Sequence, residues 1–125
     1  FMEPLYIEGT DESPAIILDK SAGNFEFSGK SLPEDVKAFY NPVLEWLDGY
    51  IANPNPDTVV NFRMDYFNSA SAKQIMDILT CFEKIYQKGN DVLIRWHFAS
   101  DDEDMEDAGA SYEGIIEAPI ELIAY

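Results

Sequence analysis

One cysteine and one histidine are all that the sequence offers of the residues most used to bind metals or crosslink a chain. Cys81 alone cannot close an intramolecular disulfide or build a multi-cysteine zinc site. His97 alone excludes a multi-histidine metal centre, and any Ser-His-Asp triad would have to use it, yet no nucleophile is spaced to meet it. Positive charge is scarce too: 8 Lys and Arg stand against 24 Asp and Glu, for a formal net charge of -16. Such a surface repels phosphate backbones and anionic headgroups, which argues against nucleic acid and membrane surfaces as partners. A protein partner with a basic patch stays open. No apolar run reaches the roughly 18 residues of a membrane span, and no basic stretch followed by a hydrophobic one opens the chain, so a cytoplasmic protein is expected. Internal repeats and low-complexity linkers are missing as well.

What is present suffices for a core. A hydrophobic content of 46% and an aromatic content of 14% over 125 residues mark a folded chain. One domain over residues 1–125 is expected, since a chain of this size buries roughly two-thirds of its unfolded surface. "AIILD" (Ala15 to Asp19), "KSAG" and "NFEFS" (Asn24 to Ser28) read as a hairpin with Phe25 and Phe27 on one face. In "SLPED", Ser31 three residues before Glu34, with Pro33 between, reads as a helix start. Apolar residues from Val36 to Ile51 then recur at three- and four-residue spacing, an amphipathic helix in which Pro42 predicts a kink or a restart capped by Asn41.

From Thr58 to Phe67, Val60, Phe62, Met64 and Tyr66 alternate with Asn61, Arg63 and Asp65, a strand with one dry face and one wet face. A second helix runs from about Ser69 to Lys88 and stops at Gly89. A strand from Asp91 to Phe98 repeats the alternation, with Arg95 and His97 on the wet side. "SDDEDMEDAGASYEG" opens a third, acid-rich helix, and a last strand covers Ile120 to Ala124. The expected fold is therefore α/β (α+β), a sheet with helices packed mainly on one face and the other partly solvated.

Two stretches mimic ligand sites. "GNFEFSGKS" has the glycines and lysine of a phosphate-binding loop, but five residues separate Gly23 from Gly29, and they alternate as a strand. Asp102, Asp104, Glu106 and Glu113 fall at calcium-loop positions, but Asp107 occupies the place where the sharp turn needs glycine. No metal, cofactor or catalytic residue is expected.

The corner "DYFNSASAK" carries small hydroxyl residues where a strand meets a helix. Together with "GT" at Gly9, "SPAI" from Ser13, "GKSLPE" from Gly29, Trp46, "YFNSASAKQIMD" and "WHF", it resembles the SiaC family of bacterial regulatory phosphoproteins, which are STAS-like and related in architecture to anti-anti-sigma factors. The resemblance covers nearly the whole chain. It implies that the hydroxyl directly after the Asn is a phosphate acceptor, which here is Ser69, with Ser71 the runner-up. It implies a dedicated protein kinase, a metal-dependent PP2C-type phosphatase, and an output partner that in the best-known member is a diguanylate cyclase promoting biofilm formation through cyclic di-GMP. The family's acceptor is often Thr, so Ser69 leaves the kinase's preference open.

Local chemistry is compatible with that role. A helix N-terminus presents unpaired amides and a partial positive charge to a phosphate. Asn68 lies beside the acceptor, and Lys73, one turn on, offers a countercharge. The leading expectation is a non-enzymatic signalling switch gated at Ser69. Two alternatives compete: a small enzyme or ligand-binding domain using Arg63, Asp65, Arg95 and His97 on the wet sheet face, and an acidic adaptor that is never phosphorylated. A deep pocket lined by those four residues would favour the enzyme; an exposed Ser69 would favour the switch.

Overall fold

The computed structural model describes residues 2–125. Six strands and three helices follow the order β1 (Leu5–Ile7), β2 (Ala15–Asp19), β3 (Asn24–Ser31), α1 (Val36–Ala52), β4 (Asp57–Phe67), α2 (Ser69–Gln87), β5 (Asp91–Phe98), α3 (Glu103–Glu113) and β6 (Ile120–Ala124). The strands lie in one sheet in sequence order, antiparallel from β1 to β3 and parallel from β3 to β6.

That order explains why one face is bare. Each parallel step is a strand-helix-strand crossover, such crossovers are right-handed, and all three advance across the sheet in the same direction. The helices consequently share a side. Phe25 on β3 packs edge-on against Trp46 of α1 and Phe82 of α2, and Trp96 on β5 packs against Tyr112 of α3. Ile16, Leu18, Phe27, Val60, Phe62 and Ile94 fill the same layer. At Gly109 an added Cβ would run into the Trp96 indole and Leu122, so glycine is what lets α3 approach the sheet.

Several boundaries differ from the sequence expectation. β1 was not anticipated; three residues are too short to show an alternation, and Tyr6 is held instead by a hydroxyl bond to Asp19 across the pair. Ser31 does not start α1. β3 continues to Ser31 because the parallel pairing with β4 extends to Ser31↔Phe67, and Leu32, preceding Pro33, stays outside the helix. Asp35 is the cap, accepting from the Ala38 amide at 3.1 Å. Nor does the helix restart at Asn41. Pro42 sits inside a continuous α1, on the exposed side, while Tyr40, Val43, Leu47 and Tyr50 are buried. Burial of four such side chains, at about 1.5–3 kcal/mol each, outweighs the bond the proline forfeits.

Tyr66, whose spacing predicts the dry face, is instead 50% exposed. The β3–β4 register shifts at Gly29/Lys30, so Gly29 pairs with Met64 but Lys30 with Tyr66. The extra β4 residue, Asp65, reverses the alternation, sending Tyr66 outward and Phe67 in against Trp96. Gly29 takes a φ of 100° at this bulge. At the end of α2, Gly89 has a φ of 100°, its amide bonds the Tyr86 carbonyl and the Asn90 amide reaches that of Ile85, which is the Schellman stop the sequence suggested.

Candidate functional site

The corner between β4 and α2 is built from the bulge onward. Phe67 turns in to the core, the chain leaves the sheet, and Asn68 adopts an extended conformation with its side chain accepting from the Ser71 amide at 2.9 Å. Asn68 is therefore the cap, and Ser69 is the first residue of α2, exposed, with its hydroxyl free of hydrogen bonds among the described residues. The amides of Ser69 and Ala70 have no acceptor within the helix.

Ser71 is in a different situation. It is fully buried, and its Oγ accepts from Ser31 Oγ at 2.8 Å, while Ser31 Oγ also meets Tyr40 Oη at 2.6 Å. The Asn68 amide bonds the Ser31 carbonyl at 3.1 Å. A buried hydroxyl chain thus ties the start of α2 to the end of β3 and to α1. Sequence reading found Ser71 but missed Ser31 and Tyr40, because nothing local links residues 31, 40 and 71.

Charge sets this helix start apart. α1 is capped by Asp35, and α3 by Asp102 with Glu103, Asp104 and Glu106 in its first turn. α2 has the neutral Asn68 as cap and no acid in its first turn. Of the three helix starts, that of α2 is the one with no acidic residue at its cap or in its first turn. Lys73 is exposed one turn along.

Beside the corner lies a groove of about 250 Å³ lined by Asp65, Tyr66, Phe67, Asp102, Asp104, Met105 and Ala108. Asp65 belongs to this groove. Arg63, Arg95 and His97 share the open sheet face, with Arg63 opposite His97 and Arg95 opposite Asn61. His97 Nε2 faces Asn61 Oδ1 at 2.9 Å. Partial burial, and then the charges of Arg63 and Arg95, hold the His97 pKa below its ordinary 6.5. None of these three lines the groove that contains Asp65, so the four residues do not form one pocket.

The acid run adopts the helical start expected of it, with Asp102 accepting from the Met105 amide at 3.0 Å. Among the described residues no group of three or more His, Cys, Asp or Glu is arranged to hold a metal ion. Cys81 is buried in α2, and desolvation pushes its thiol up to about 11, which keeps it protonated at neutral pH.

Against known proteins, the profile of the SiaC family regulatory phosphoproteins matches residues 7–125. The chain belongs to the SiaC family. An uncharacterized protein of Pseudomonas aeruginosa strain UCBPP-PA14 is 35% identical over 97 residues, covering 78% of this chain and 77% of that one. SiaC of Pseudomonas aeruginosa superposes with a TM-score of 0.89 at 29% identity, over 99% of this chain and 100% of the other. A solved complex of the diguanylate cyclase SiaD with its activator SiaC, also from Pseudomonas aeruginosa, contains a matching chain with a TM-score of 0.90 at 30% identity, over 97% and 99% of the two chains. A SiaC-family chain is thus a regulatory protein by family, with a mixed α/β architecture shared over nearly its whole length. No helix among its described residues is long and apolar enough to cross a membrane.

Proposed function

We propose that this SiaC-family chain is a non-enzymatic, cytoplasmic signalling switch in which reversible phosphorylation of Ser69 gates binding to a diguanylate cyclase. A cognate protein kinase adds the phosphate and a PP2C-type phosphatase removes it. The cyclase is suggested by the SiaC relative, solved in complex with the cyclase that it activates. The observation that carries the choice of residue is the contrast within one turn of helix. Ser69 is exposed and unengaged, whereas Ser71 is buried in the bond from Ser31.

A phosphate on Ser69 would meet the free amides of the first turn, the positive end of a helix with no acid in that turn, and Lys73. It would add about 1.5 to 2 negative charges and a hydrated group to the surface a partner has to cover. Attraction and fit give way to repulsion and desolvation cost. Incubation with the kinase followed by phosphopeptide mapping should yield one phosphate, on Ser69, that Ser69→Ala abolishes. Undiminished incorporation into the Ala variant would move the acceptor elsewhere.

A further inference from the structure

Both arginines of the chain, Arg63 and Arg95, and its only histidine stand together on the open face of β4 and β5, and the remaining basic residues are lysines. Neither guanidinium is fully partnered. Arg95 Nε lies 3.6 Å from Glu121 Oε1, near enough for charge attraction but too far for a hydrogen bond, and that nitrogen is buried without a partner. Arg63 has no carboxylate within ion-pair distance among the described residues; its guanidinium lies 5.1 Å from the centroid of the Tyr125 ring. Glu26 and Glu121 share the face, but at His97 the charges of Arg63 and Arg95 outweigh theirs.

The apolar surround is equally uneven. Ile17, Val59, Leu93 and Ile123 lie on the same face and are half-buried, and Tyr125 is 51% exposed. No helix covers them, since all three crossovers pack on the other side.

We propose that this open sheet face docks an acidic, amphipathic segment of a protein partner, with its carboxylates paired to Arg63 and Arg95 and its apolar side chains laid against the flanking aliphatic residues. A guanidinium offers a planar fork that a carboxylate matches with two hydrogen bonds, which selects this chemistry over a point-like countercharge. The net charge of -16 repels a polyanion such as nucleic acid at long range, while a segment with only a few acids in an apolar frame can reach the incompletely partnered guanidiniums of Arg63 and Arg95. Two-fold pairing of two copies through this face would set the arginine patch of one against that of the other. The face is opposite α2, so its occupant leaves Ser69 free, and both surfaces can be engaged at once.

The test is an amide-resolved NMR titration of the full chain with two peptides of equal length and identical leucine pattern, one with Glu and one with Lys at every polar position. The Glu peptide is expected to move resonances on β4, β5 and β6 around Arg63, Arg95 and Tyr125. The double variant Arg63→Gln, Arg95→Gln should weaken that binding by about tenfold or more, with an otherwise unchanged amide spectrum, and the double Lys variant should fall between. The Lys peptide should act on the acidic helix surface instead. Unmoved open-face resonances, equal open-face binding by the Lys peptide, or undiminished binding by the Gln variant would each overturn the proposal, whatever happens at Ser69.

Discussion

Ser69 and Ser71 are two residues apart and chemically identical, yet they predict opposite mutational behaviour. Because Asn68 supplies the cap, Ser69→Ala removes no hydrogen bond seen among the described residues, and its melting temperature should stay within the small range of neutral surface changes, about 0.5 kcal/mol. Ser71→Ala strips the acceptor from Ser31 in a fully buried site and should cost about 1–3 kcal/mol. Denaturant titrations of the two variants compare them directly; equal stability would mean that the buried hydroxyl chain contributes nothing. His97 adds a pH dependence. Its folded-state pKa lies below the unfolded value of 6.5, so the unfolded state binds the proton more readily as pH falls through that region. Its contribution is fully present above pH 6.5 and is lost as pH drops through the lower folded-state value. His97→Gln should flatten the stability profile below pH 6.5, and an unchanged slope would assign that slope to the carboxylates alone.

At the scale of elements, the sequence was most legible where periodicity was long. α2, β5 and the β2–β3 hairpin follow directly from their apolar spacing and from Gly89, and the start of α3 from the acids of its first turn. What stayed hidden depended on pairing between distant segments. Ser31 looks like a helix cap locally, but its place is decided by the register with Phe67 and by Tyr40 and Ser71. Tyr66 continues a flawless alternation in the sequence, and only the bulge opposite Gly29 and Lys30 reveals that it faces out. The same limit applied to the candidate site. Asn68, Ser69 and Lys73 lie within six residues and could be singled out together, but which of Asn68 and Ser69 caps the helix needed the structure, as did the separation of Asp65 from the arginines. Element packing supplies a further prediction. Gly109→Ala should destabilise the chain by about 1–3 kcal/mol, because its methyl group has to displace the indole of Trp96 or Leu122. Near-UV circular dichroism should report the tryptophan shift along with the lower melting temperature, and a wild-type spectrum and melt would show that α3 has room to move.

On the scale of the whole molecule, a layered sheet with all helices on one side gives the chain two unlike surfaces. The Ser69 corner, the proposed phosphoacceptor, lies at the start of α2, and the arginine face lies across the sheet, held in place by one continuous core. A charge change at Ser69 should therefore alter recognition at its own edge without unfolding anything. Ser69→Asp, with a single charge at the positive end of a helix, should leave stability level or slightly raised. It should weaken cyclase binding less than a phosphate does, because it carries less charge and less bulk. The most direct test is calorimetric titration of the cyclase with four forms of the chain, each checked by thermal melt. Unmodified protein and Ser69→Ala should bind alike, Ser69→Asp more weakly, and the enzymatically phosphorylated form most weakly, all with closely similar melting temperatures. Equal cyclase affinity for the unmodified and fully phosphorylated forms would contradict the claim that Ser69 is the gate.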